Sequence, residues 1–99
     1  MEITEEQIIG LINSLNDEDY DVRRYVENVL IKLDEQSIGP LINALNHQTQ
    51  EIQIEAARIL GKMGNKQALT PLIQALKDGN LDFRREVALA IDKIVDKNP

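Results

Sequence analysis

The stretch Pro40 to Met63, PLINALNHQTQEIQIEAARILGKM, decides how this chain is read, because both of its flanks repeat it. Leu11, Leu41 and Leu72 occupy equivalent places, as do Val22, Ile52 and Phe83, and Leu33, Met63 and Ile94. The first interval is 30 residues and the second is 31. A fixed period of that size means stacked supersecondary units that share one continuous core.

Each unit reads as helix, turn, helix. Thr4 is a good N-cap with Gln7 three residues on, a capping box, and Ile3 and Ile8 are placed to form a hydrophobic staple. Glu5 and Glu6 fill the first turn, where the helix dipole favours negative charge. Ile8, Leu11, Ile12 and Leu15 then fall on one helical face. Asp19 caps a second helix whose apolar stripe is Val22, Val26, Val29, Leu30 and Leu33. Thr49 and Asn80 hold the same cap position in the later copies, each followed two residues on by an acid, Glu51 or Asp82, as Asp19 is by Asp21. Asp34 and Asn65 take the place of Thr4, so they are expected to cap the first helices of copies two and three. Gly64 ends the preceding helix and accounts for the extra residue of the second interval. Pro40 and Pro71 lie six residues after their caps, which predicts bends in the third and fifth helices. Copy one has Gly10 there, and its first helix is expected to be straighter. Ile52-Gln53-Ile54 alternates briefly, but its register places it in a helix. The expected fold is all-α, with six helices in three antiparallel pairs.

Composition narrows the possibilities further. Ninety-nine residues fit a single domain, residues 1–99, with repeats at about 4–33, 34–64 and 65–95. The hydrophobic share of 42% suits a globular protein, and no apolar run approaches the ~20 residues of a membrane span. Met1-Glu2-Ile3 is too short and too acidic for a signal peptide. The absence of cysteine removes disulfides, thiolate metal sites and thiol catalysis together, and a cytoplasmic setting is the default expectation. A net charge of −6 argues against binding to a phosphate backbone. The charge is uneven: residues 1–33 hold eight acids and three bases, whereas residues 65–99 hold five acids and six bases.

With these residues in place, the chain resembles the HEAT-like repeats, especially the short type of the phycobilisome lyases. The likeness rests on the run Leu-Ile-x-Ala-Leu and is best in copy three, PLIQALKDGNLDFRREVALAIDKI. It covers about residues 4–95. The resemblance implies an alpha-alpha superhelix, a right-handed solenoid with its second helices on the concave side. It also implies a turn Asp tied to an Arg six residues later, here Asp17 with Arg23 and Asp78 with Arg84. Copy two has His47 and Gln53 at those places, a joint change to neutral types that suits physical contact between them. Members of the family act mostly as protein-binding scaffolds. Others are accessory subunits of pigment-attaching lyases, and a separate branch repairs alkylated DNA.

Turning 100° per residue from Val26, Ala56 and Val87 puts Arg24 and Asn28, Ile54 and Arg58, and Arg85 and Leu89 farthest from the core. These six side chains would form two rows along the concave face. Arginine beside apolar surface suits protein binding. The plainer alternative packs Ile54 and Leu89 against neighbouring helices and pairs the arginines with Glu27, Glu55 or Glu86. Other constellations fail on inspection. Asp17-x-Asp19-x-Asp21 has Val22 where a calcium loop needs Gly and Asn28 where it needs Glu. His47 has no partner at ligand spacing, Ser14 has no histidine placed to activate it, and no Gly-rich phosphate loop exists. Scarce aromatics weaken a base-flipping role. The expectation is a non-enzymatic protein-binding scaffold that needs no cofactor and has no membrane role. Its partner would be a protein or peptide with acidic and apolar groups, not nucleic acid. The alternative is an accessory subunit of an enzyme complex resembling the bilin lyase subunits.

Overall fold

Helices begin where a side chain takes up the free N–H groups of the first turn. The computed structural model, which describes residues 2–99, has α1 at Glu5–Asn13, α2 at Tyr20–Leu33 and α3 at Glu35–Ala44. They are followed by α4 at Gln50–Met63, α5 at Leu69–Ala75 and α6 at Leu81–Lys97. No strand occurs among the described residues, and the chain is an all-α solenoid of three helical pairs. Thr4 forms the expected capping box: its Oγ1 accepts from Gln7 N at 3.1 Å, and Gln7 Oε1 accepts from Thr4 N at 2.9 Å. Asp19 accepts from the N–H groups of Asp21 and Val22, and Asn80 accepts from Phe83.

Three caps depart from expectation. Thr49 stands at the start of α4 without a side-chain bond to it. Asn65 accepts from Gln67 N at 2.8 Å and so caps a 3-10 turn, Lys66–Ala68, that leads into α5. Asp34 makes no side-chain cap and has φ 50° and ψ −119°. Interval length explains the contrast. Between copies two and three, Gly64 closes α4 in the left-handed conformation, φ 71°, and Asn65 then opens the next unit. Between copies one and two a single residue does both jobs, and Asp34 is forced into a region that glycine enters freely. The buried Ser37 helps hold it: its Oγ lies 2.7 Å from the Leu30 carbonyl and 3.0 Å from that of Asp34.

The two prolines take different places in their helices. α3 runs through Pro40 as one helix, and the carbonyl left without a donor belongs to the exposed Gln36. In copy three the break falls ahead of Pro71, which sits in the first turn of α5, where a missing N–H is tolerated. α1 crosses Gly10 without interruption and tightens into a 3-10 turn at Ser14–Asn16.

One apolar cluster runs from Ile8 to Ile94 through all three pairs. α4 is its hub, with Ile52, Ala56, Ile59 and Leu60 all buried. The two junctions between second helices are unequal. α4 packs along α6 because Gly61 faces Ala90; a Cβ on Gly61 would lie 2.8 Å from Ala90 Cα. One repeat earlier the same places hold Ile31 and Ile59, and α2 meets α4 at few points. Side-chain size at the crossing sets the distance between helices.

Two substitutions check this account. Gly61→Ala must push α6 away at its backbone and should cost about 1–3 kcal/mol in urea melts. Asp34→Gly should stabilise by about 1 kcal/mol through relief of backbone strain; a lower melting temperature for that variant would contradict the strain.

Candidate functional site

The space left between α2 and α4 is a groove of about 360 Å³. Tyr20, Arg23, Arg24, Glu27 and Asn28 line it from α2, and Glu55, Arg58 and Lys62 from α4. Glu27 gives it its charged centre. The equivalent residues in copies two and three are Ala57 and Ala88, so a carboxylate stands where the next junction has a methyl group. Glu27 is buried, and a carboxylate removed from water needs cations and hydrogen bonds around it. Arg58 Nη2 donates to Glu27 Oε1 at 2.5 Å and Lys62 Nζ donates to Oε2 at 2.6 Å. Arg58 is fixed in turn by Glu55, through its Nε at 3.1 Å and again through Nη2. Burial alone would push the Glu27 carboxyl up, but the bonds from Lys62 and Arg58 outweigh it and hold the group below its ordinary value. Burial likewise works against the Arg58 charge, and Glu55 and Glu27 more than restore it.

At the mouth of the groove the cations are held more loosely. Arg23 lies over the ring of Tyr20, 5.7 Å from its centroid, and its Nη1 donates to the Asp17 carbonyl at 2.6 Å. Arg24 is exposed, and no carboxylate stands within ion-pair distance of it among the described residues. Four cations and two carboxylates therefore share one groove in a chain whose net charge is −6.

The six expected strip residues separate into groups. Arg24, Asn28 and Arg58 share the groove. Ile54 is half-buried and packs against the core, as the plainer alternative has it. Arg85 and Leu89 are exposed on α6 outside the groove, with Arg85 Nη1 4.0 Å from Asp82. Arg58 does not point free of the structure, because its charge is committed to Glu27 and Glu55. Glu27, Glu55 and Lys62 are the groove residues that the rotation argument missed. A charged residue at the place of Ala57 and Ala88 was the available signal.

The turn pairs take other forms. Arg23 reaches Asp17 through the backbone carbonyl, while the Asp17 carboxylate accepts from Asp19 N at 2.9 Å. Asp78 and Arg84 are both exposed, and no ion pair joins them among the described residues. His47 bonds elsewhere than to Gln53. Its Nδ1 accepts from Thr49 N at 2.9 Å, the role Asp17 has in copy one, and its Nε2 lies 3.0 Å from Asn13 Oδ1 of the preceding repeat. No described helix is long and apolar enough to cross a membrane.

The depressed Glu27 carboxyl makes stability depend on pH with a definite sign. Its ionised form contributes fully above the ordinary value of 4.5, and that contribution is lost as pH falls through the lower folded value. The stability gap between wild type and Glu27→Gln should be widest near neutrality and close on acidification. Urea melts from about pH 7 to about pH 3 check it, and a gap independent of pH would mean that Glu27 is not held ionised.

A family model of HEAT repeats matches residues 8–92 of the chain. No curated protein matches it.

Proposed function

The chain belongs to the HEAT-repeat family, whose members are typically non-catalytic protein-binding scaffolds, and we propose that this one binds a protein segment in its α2–α4 groove. The observation that carries this reading is the excess of cations in the groove of an acidic chain. Arg24 offers an uncommitted guanidinium, a group suited to paired hydrogen bonds with a carboxylate. The exposed ring of Tyr20 lines the same groove, and Tyr25, next to Arg24 in sequence, is exposed too; both offer amphipathic contact area. A partner that fits presents acidic side chains with apolar ones between them. The acidic surface elsewhere repels the same partner and so fixes where it docks. The strip of α6, with Arg85 and Leu89, extends the same helix layer and can take the flank of a longer segment. The accessory-subunit reading draws on family likeness alone and gains no particular residue from the groove.

A dye-labelled peptide of alternating Glu and Leu, followed by fluorescence anisotropy, is a direct probe. Arg24→Glu should weaken its binding by more than tenfold, about 1.4 kcal/mol. The melting temperature should not move, because Arg24 is exposed and bonded to no other side chain among the described residues. Added salt should weaken the wild type more than the variant. Equal affinity for both proteins would rule the groove out as the binding surface.

A further inference from the structure

The two ends of the solenoid carry residues that are covered everywhere else in the repeat. Leu15 and Leu45 are 1% and 4% exposed beneath the following repeat, but their equivalent Leu76 is 38% exposed. Ile52 and Phe83 are each 2% exposed against the preceding repeat, but Val22 is 39% exposed. Val29 is also 39% exposed, where Ile59 and Ala90 are buried. Among the described residues, no repeat covers Val22 and Val29 at one end or Leu76 at the other.

We propose that these ends take a second copy of this chain, stacked head to tail, with the third repeat of one copy continued by the first repeat of the next. Charge at the matching positions supplies the argument. At the junction of copies two and three, Glu35 accepts from Gln67 Nε2 at 3.3 Å. Carried one repeat further, those places are Lys66 and the Glu6 of a following copy, both exposed and opposite in sign. At the junction of copies one and two, Asn13 meets His47 at 3.0 Å. The same pair becomes Gln74 and the Asp17 of the following copy, an amide donor facing a carboxylate. Asn16 lines a cleft with Glu51 at that junction. Its counterpart at the open end is Lys77, and the counterpart of Glu51 is Asp21. The first and second copies carry Asn16 and Asn46 at this place, so the cation appears only in the third. A two-fold contact between like ends would set Glu6, Asp17 and Asp21 against themselves. The complementarity therefore selects a heterologous contact, which grows into a fibre or closes into a ring. The inference is independent of the groove between α2 and α4.

Sedimentation over a range of concentrations tests it. The average mass of the wild type should rise with concentration and fall with added salt. Val22→Glu and Leu76→Glu each block one end at an exposed position. Each should be monomeric alone, and an equimolar mixture should form dimers that grow no further. Lys66→Glu should weaken association at least tenfold, and Glu6→Lys in the same chain should restore it. Melting curves taken alongside confirm that each variant is folded. A wild type that stays monomeric at millimolar concentration would overturn the proposal. So would a blocked variant that associates like the wild type, or a charge-swapped double variant that stays weak.

Discussion

A buried carboxylate has to be met by positive charge, and in this chain Glu27 imposes that requirement on the junction between the first two repeats. Arg58 and Lys62 are drawn across from α4 to meet it, and Glu55 is drawn in to orient Arg58. Those long side chains fill the space where α2 and α4 meet at few points, with Ile31 and Ile59 at the places that Gly61 and Ala90 hold one repeat later. At the next junction small residues do the opposite: Ala57 and Gly61 let α6 lie close on α4. Two junctions built from one repeat therefore do different work. One is a dry contact and the other is a charged groove.

Much of the fold could be read from local chemistry. The caps at Thr4, Asp19 and Asn80 form because each offers an acceptor two or three residues ahead of free N–H groups, a relation contained within a few residues. Gly64 was legible for the same reason, since a helix end at an extra residue calls for a left-handed conformation. The departures at Asp34 and Pro71 depend on where the preceding element stops, which local patterns fix least well. Asp34 had to be both an end and a beginning, and a cap reading assigns it only one of these.

The groove was only half legible. Rotation about the axis of α4 carries Arg58 away from the helix's own core face, but it says nothing about what an adjacent helix presents there. Glu27 lies on another repeat, 31 positions away in sequence, and it decides the matter. Among the described residues only one of the turn pairs, Asp17 with Arg23, is joined, and for a related reason its bond could not be foreseen. Arg23 finds the backbone carbonyl of Asp17, an acceptor that every residue type carries and no composition reveals. His47 can stand in for an aspartate because Nδ1 accepts the same N–H that a carboxylate would.

The unequal linkers at Asp34 and at Gly64-Asn65 bear on how such a chain can be lengthened. A segment cut as 34–64 carries its own left-handed terminator, so a duplicate placed after it would begin on a relaxed backbone. A segment cut as 4–33 stops at Leu33 with no terminator, and any unit placed after it must lend its first residue to close α2. The middle repeat is thus a portable module, whereas the first is bound to whatever follows it. As far as the backbone is concerned, insertions are then tolerated on one side of the middle repeat and strained on the other.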